Sequence, residues 1–231
     1  MSSILMIVTG ASTLRLTDGT EHPTGFWAEE LVTAHRELIR AGHSVTITTP
    51  KGAVPVADAV SLDPERVGRE TAADLSAYLE EIRWELESAL PLDAVVEEYD
   101  ALVLPGGHGP MTDLAFDPEV GRLLIEADEA GKVIAPFCHG PAALLAAKRD
   151  DGSNAFAGRR VTAFTDEEER SGGTGEKTPW FVETELRKAG LVVEAGKAWS
   201  DHVVVDRNLI TGQNPQSSAS VAQEVIRELG A

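Results

Sequence analysis

Short, wholly apolar runs alternate along this chain with longer stretches of helical period, and that alternation restricts it to an α/β architecture. Ile4-Leu5-Met6-Ile7-Val8 ends at Thr9-Gly10 as a strand buried on both faces of a parallel sheet does. Phe26 to Arg40 carries apolar residues at Phe26, Trp27, Leu31, Ala34, Leu38 and Ile39 before Gly42, which predicts an amphipathic helix with a glycine stop. Strands follow at Val45–Thr48, Ala101–Leu104 and Val133–Ala135, with a helix expected from Ala72 to Leu90, where Pro91 ends it, and another through Val120 to Ala127. Pro141–Ala147 and Pro179–Ala189 read as helices, 191–193, 203–205 and 209–210 as strand-like runs, and Val221–Leu229 as the closing helix. The prediction is an α/β sandwich with a mostly parallel sheet, in one domain over 1–231, with a surface excursion at 50–70 where Pro50, Gly52, Pro55, Pro64 and Gly68 cluster.

With 231 residues, 42% of them hydrophobic, the chain can bury a sizeable core without disulfide staples. Twenty Lys and Arg against 38 Asp and Glu leave a net charge of −18, which disfavours phosphate backbones and anionic membrane surfaces, so neither nucleic acid nor membrane is expected as a partner. The start lacks a basic leader, and no apolar run is long enough to span a bilayer, so a cytoplasmic protein is expected. One cysteine, Cys138, excludes an internal disulfide and every Cys-clustered metal site, and His22, His35, His43 and His202 lack ligand spacing. Neither a metal nor another cofactor is expected.

Cys138 follows a strand and precedes His139-Gly140-Pro141 at the mouth of the next helical segment. A lone cysteine is ordinarily a small buried hydrophobe. This setting instead matches a nucleophile elbow, where backbone N–H groups and a helix terminus favour an anion, so a thiolate is expected near neutral pH. His139 is placed to move a proton, although sequence neighbours need non-helical geometry to touch. Of Glu29 and Glu30 on the first helix, one can face solvent while the other turns toward a pocket, where burial raises its pKa. Asp166-Glu167-Glu168-Glu169 reads as a solvated helix start unless Glu169 accepts a hydrogen bond from His139. Pro105-Gly106-Gly107-His108-Gly109 lacks phosphate-loop spacing. It suits an oxyanion nest built from the Gly107 and His139 amides, with Gly106 and His108 as adjoining substrate-binding positions.

Trp84, Trp180 and Trp199 read as packing residues, Gln213-Asn214-Pro215 as a helix cap, and Ser171–Glu176 as either a cover for the pocket or an exposed turn.

Several separated segments resemble the ThiJ/PfpI superfamily, in the branch of glutathione-independent glyoxalases and heat-shock chaperone-like proteins. They are Thr24-Gly25-Phe26-Trp27 with Glu30-Leu31, Tyr99-Asp100-Ala101 with Pro105 to Met111, Cys138 to Ala142, Phe164-Thr165 with Glu168-Glu169, and Ile210 to Ser218. The resemblance implies a flavodoxin-like three-layer sandwich, a homodimer, and a catalytic set of Cys138, His139 and Glu169 with Glu30 beside the sulfur. It also implies conversion of methylglyoxal and related 2-oxoaldehydes to 2-hydroxy acids, D-lactate among them, without glutathione or metal. On this reading Cys138 adds to the aldehyde to form a hemithioacetal. His139 or Glu30 then removes its carbon-bound hydrogen, and water hydrolyses the resulting thioester. The alternatives are a stress-response holdase with a redox-sensitive Cys138, and a deglycase or amide hydrolase using the same sulfur. Val32-Thr33-Ala34-His35 stands where relatives carry aromatic residues and proline, which makes pocket shape the least transferable property.

Overall fold

In the computed structural model, which describes residues 1–94 and 98–230, the apolar runs become a seven-stranded sheet. Its strands are β1 (Ser3–Ile7), β4 (Ser44–Thr49), β5 (Leu90–Pro91), β6 (Ala101–Leu104), β7 (Val133–Pro136), β10 (Val203–Asp206) and β11 (Leu209–Gly212), in the order β10-β11-β7-β6-β1-β4-β5. Every neighbouring pair is parallel except β10 with β11, which form an antiparallel edge. β6 and β7 are buried at all four positions, the pattern of central parallel strands covered on both faces.

Alternation along the strands divides the core in two. Ile4, Met6, Val8, Val103 and Ala135 face Leu31, Ala34 and Leu38 of α1 (Ala28–Arg40) and Val221 and Val225 of α8 (Ser218–Glu228). Leu5, Ile7, Leu102, Leu104 and Ile134 face Val120, Leu123 and Leu124 of α5 (Pro118–Glu129) and Leu186 of α7 (Val182–Lys188). The result is the three-layer α/β sandwich that the sequence implies, with a largely parallel sheet of flavodoxin-like kind.

Several elements differ from the expectations. The polar loop after β1 contains a hairpin, β2 (Thr13–Arg15) with β3 (Glu21–Pro23). The long helix expected to Leu90 is α3 (Arg69–Glu81) and α4 (Arg83–Glu87), broken at Ile82, whose φ of −94° and ψ of 13° leave the helical well. Leu90-Pro91 is not helical but the edge strand β5, and the Leu90 carbonyl accepts the Thr48 hydroxyl at 2.7 Å. The helix expected over 141–147 is a 3-10 helix, Gly140–Ala146. The excursion at 50–70 holds two 3-10 turns and α2 (Pro64–Val67), tied down where Thr24 donates to Asp58 at 2.9 Å. The run at 191–193 does not join the main sheet: β9 (Val192–Val193) pairs with β8 (Arg160–Val161), a strand the apolar pattern does not show. The remaining helix, α6 (Asp166–Gly172), carries the acidic run. Among the described residues no helix is long and apolar enough to cross a membrane.

Candidate active site

Cys138 sits one residue beyond the Phe137 that prolongs β7, with φ of +57° in the left-handed region. For a residue with a Cβ that region costs about 1 to 2 kcal/mol, so the turn must be held from outside. It is: the Cys138 N–H donates to the Gly212 carbonyl at 2.9 Å and its own carbonyl accepts from Phe164 at 2.8 Å. The elbow also presses onto β6. A Cβ on Gly140 would lie 2.2 Å from the Leu104 oxygen, and one on Gly106 would lie 2.6 Å from the His139 nitrogen, so glycine is required at both positions for the close approach.

Four side chains, two from the turn itself and one each from α1 and α6, meet here. His139 Nδ1 lies 3.3 Å from Cys138 Sγ, and its Nε2 lies 2.8 Å from Glu169 Oε2 on α6. Glu30, three residues into α1, is fully buried; its Oε2 accepts from the Gly106 N–H at 2.6 Å, and the Cys138 thiol lies beside it. Glu30 Oε1 is buried with no hydrogen-bond partner. The Gly107 and His139 amides lie beside the sulfur. The Gly106 amide is engaged by Glu30.

Burial and charge set the protonation states apart. Burial pushes Glu30 up to about 8, against hydrogen bonds from Cys138 and Gly106 that pull it down. Burial, then the Glu30 charge and hydrogen bond, push the Cys138 thiol well above its ordinary value, and the Gly107 and His139 amides offset this only in part. Both groups are thereby shifted toward their protonated forms, in the direction opposite to the thiolate expected near neutral pH. Burial, with the charge of His108, holds His139 down to about 4, although Glu169 and Glu168 pull it back up. Burial raises the Glu169 carboxyl, but hydrogen bonds from His108 and His139 outweigh it and keep the group ionised. Because an ionised carboxylate cannot donate, His139 carries its proton on Nε2 and presents the Nδ1 lone pair to the thiol.

Glu169 is shared more widely than the sequence indicates. His108 Nε2 lies 3.0 Å from Oε1 and 3.2 Å from Oε2, and Thr174 donates its N–H at 2.6 Å and its hydroxyl at 3.0 Å to Oε1. Thr174 and Gly173 of the 171–176 segment thus border the site, and a Cβ on Gly173 would lie 2.2 Å from Glu169 Oε1. Donor atoms of His108, His139 and Glu169 lie within 4.8 Å of one another, close enough to hold a cation, but each imidazole Nε2 already faces the carboxylate.

Glu168, expected among surface acids, is fully buried. It accepts from Thr165, from the Trp199 N–H at 2.8 Å, from Gln213 at 3.1 Å and from Asn214 at 2.8 Å. Thr165-Asp166-Glu167-Glu168 is a capping box, and that signature marks Glu168 in the sequence. Trp84 and Trp199 are 77% and 42% exposed rather than buried in packing. Two open grooves of about 540 and 520 Å³ adjoin Phe116 and contain none of the residues around Cys138, so their size is no guide to the chemistry.

The DJ-1/PfpI family model matches residues 23–228. The chain is 26% identical over 98% of its length to the protein/nucleic acid deglycase HchA of Staphylococcus aureus, of which the match covers 79%. It is 28% identical to the Rapid Encystment Protein 24 kDa of Francisella tularensis, with both chains covered completely and a TM-score of 0.85. Glyoxalase III of Candida albicans is 21% identical, with 98% of this chain and 96% of that one covered at a TM-score of 0.81, a likeness of fold.

Proposed function

The chain belongs to the DJ-1/PfpI family, and from that premise we propose that it is a cysteine enzyme that removes 2-oxoaldehyde adducts from amines, releasing the amine and a 2-hydroxy acid. The observation that carries the reading is the split in protonation: a neutral His139 between sulfur and carboxylate, opposite a protonated Glu30. Titratable neighbours whose pKa values are driven apart are the signature of an acid and base pair. The likeness to a deglycase along 98% of the chain supports adducts as substrates.

His139 Nδ1 takes the thiol proton, and the sulfur attacks the adduct carbon that bears the hydroxyl and the amine. The C–N bond breaks, the amine leaves with the proton from His139, and a hemithioacetal remains. The Gly107 and His139 amides face its oxygen. His139 then removes the hydrogen from that carbon while Glu30 donates its proton to the neighbouring carbonyl oxygen, giving an enediol. Protonation of the neighbouring carbon by His139, with the hydroxyl proton of the first carbon returning to Glu30, gives a 2-hydroxyacyl thioester, and water cleaves it to the acid and the thiol. This reading takes Glu30 as acid and His139 as base, a choice that the sequence leaves open. Glu169 holds the imidazole in its working tautomer.

A second reading, turnover of free 2-oxoaldehyde, is favoured by the depth of the nucleophile: Cys138 is 3% exposed, which suits a small aldehyde better than a bulky adduct. Nα-acetyl-lysine preloaded with methylglyoxal separates the two. A deglycase releases amine faster than the adduct dissociates by itself, and Cys138→Ser does not. Amine release at the spontaneous rate, with lactate formed from free methylglyoxal only, overturns the adduct reading and leaves the aldehyde one.

A further inference from the structure

Trp199 is the half-exposed end of a row of rings that begins at the nucleophile. His139 stacks on Phe164 with centroids 4.3 Å apart, and Phe164 meets Trp199 edge-on at 5.5 Å. The backbone of Trp199 has φ of +61°, a conformation that a bulky residue adopts only when its surroundings impose it. Two features impose it here. Its N–H donates at 2.8 Å to the fully buried carboxylate of Glu168, which Gln213 and Asn214 also hold. Its indole lies on Gly172, where a Cβ would come within 2.5 Å of Cζ2, beside the Gly173 and Thr174 that line Glu169. A solvent-facing indole in ordinary surface packing needs neither a strained backbone nor a buried anchor.

We propose that Trp199, fixed by Glu168, is a specificity-determining residue that forms the outer wall of the path to Cys138 and limits the size of the group carried on the reacting carbonyl carbon. The wall bars bulk at the His139 side of the sulfur and leaves small carbonyl compounds free to enter. The statement about substrate size rests on the proposed function, whereas the statement about access to the sulfur does not.

Because Cys138 is the sole cysteine, alkylation reads this path directly. Rates with iodoacetamide and with the bulky N-pyrenylmaleimide are compared for the intact chain, Trp199→Ala, Trp199→Phe and Trp84→Ala. Trp199→Ala is expected to raise the bulky-to-small rate ratio at least about tenfold, the lower range of what pocket shape does to discrimination. Trp199→Phe keeps most of the barrier, and Trp84→Ala, altered at an exposed site on α4, keeps all of it. An unchanged ratio in Trp199→Ala, an equal gain with both reagents, or the same gain in Trp84→Ala overturns the proposal. Should Trp199→Ala fail to fold, Gly172→Ala, which displaces the indole, is expected to shift the ratio the same way, and an unchanged ratio there overturns it equally. Phenylglyoxal against methylglyoxal kcat/KM is expected to move with the alkylation ratio. Absence of turnover with both in the intact chain counts against the chemistry assigned to the site, and the alkylation ratio still decides the wall.

Discussion

Replacing Glu30 with Gln is expected to stabilise the fold at neutral pH while disabling the chemistry. Glu30 is fully buried, and its pKa is pushed up to about 8 from an ordinary 4.5. A carboxyl raised in the folded state contributes its full stability below pH 4.5 and loses it progressively as pH climbs through 8. At about 1.4 kcal/mol per pH unit, the cost reaches on the order of 3 kcal/mol at pH 7 and about 5 kcal/mol above pH 8. Glutamine does not ionise, can still accept from the Gly106 N–H, and turns its NH₂ toward the sulfur, so most of this cost disappears. In a chain of this length the gain at pH 7 corresponds to a rise in Tm of about 5 to 10 °C. Urea unfolding of both proteins at pH 5, 6, 7 and 8 measures the effect, because Glu30 is the one titrating group removed. The stability difference should open steadily with pH in favour of Glu30→Gln. A difference that stays flat, or a variant less stable than the parent at pH 8, refutes the assignment of a buried, protonated carboxyl.

Other consequences follow from the same geometry. The kcat of the intact enzyme should hold level between about pH 4, where His139 gains a proton, and about pH 8, where Glu30 loses its own, and stopped assays across that range should show both limbs. In Glu30→Gln, kcat should fall by about 10²- to 10⁴-fold and the alkaline limb should vanish, while the pH midpoint for Cys138 alkylation should move down because the carboxyl that raises it is gone. Glu169→Gln, which leaves His139 free to adopt the wrong tautomer, should lower kcat by about 10⁴-fold with little change in KM, as steady-state kinetics would show. Gly107→Ala, at φ of +92° and with a Cβ 2.4 Å from the Gly25 oxygen, should cost about 1 to 3 kcal/mol in chemical denaturation or prevent folding.

The architecture was legible because a central parallel strand leaves a continuous apolar run: Ile4–Val8, Ala101–Leu104 and Val133–Ala135 announce β1, β6 and β7. Short or exposed pairs such as β2–β3 and β8–β9 bury too little to leave a pattern, and a break such as Ile82 depends on how α4 settles against β4. At the site, Cys138-His139-Gly140-Pro141 marked the turn, and the resemblance pointed to Glu30 and Glu169 among many acids; the structure brings all of these together. The charge state of Cys138 was not readable, because it depends on Glu30, 108 positions earlier, and on burial that only the tertiary fold creates. For the same reason the double use of Glu169 by His139 and His108, and the burial of Glu168, emerge only when α6, the glycine loop and the 213–214 segment converge.

Covalent chemistry at one sulfur is the central claim, and the most direct measurement is the mass of the Cys138 peptide from enzyme quenched during turnover of a methylglyoxal adduct. Glu30→Gln, slowed after the carbon–sulfur bond has formed, should carry the three-carbon unit on Cys138, approaching one per chain, and Cys138→Ser should carry none. Lactate accumulating while the Cys138 peptide remains unmodified in both the intact enzyme and Glu30→Gln, or undiminished turnover by Cys138→Ser, contradicts the account.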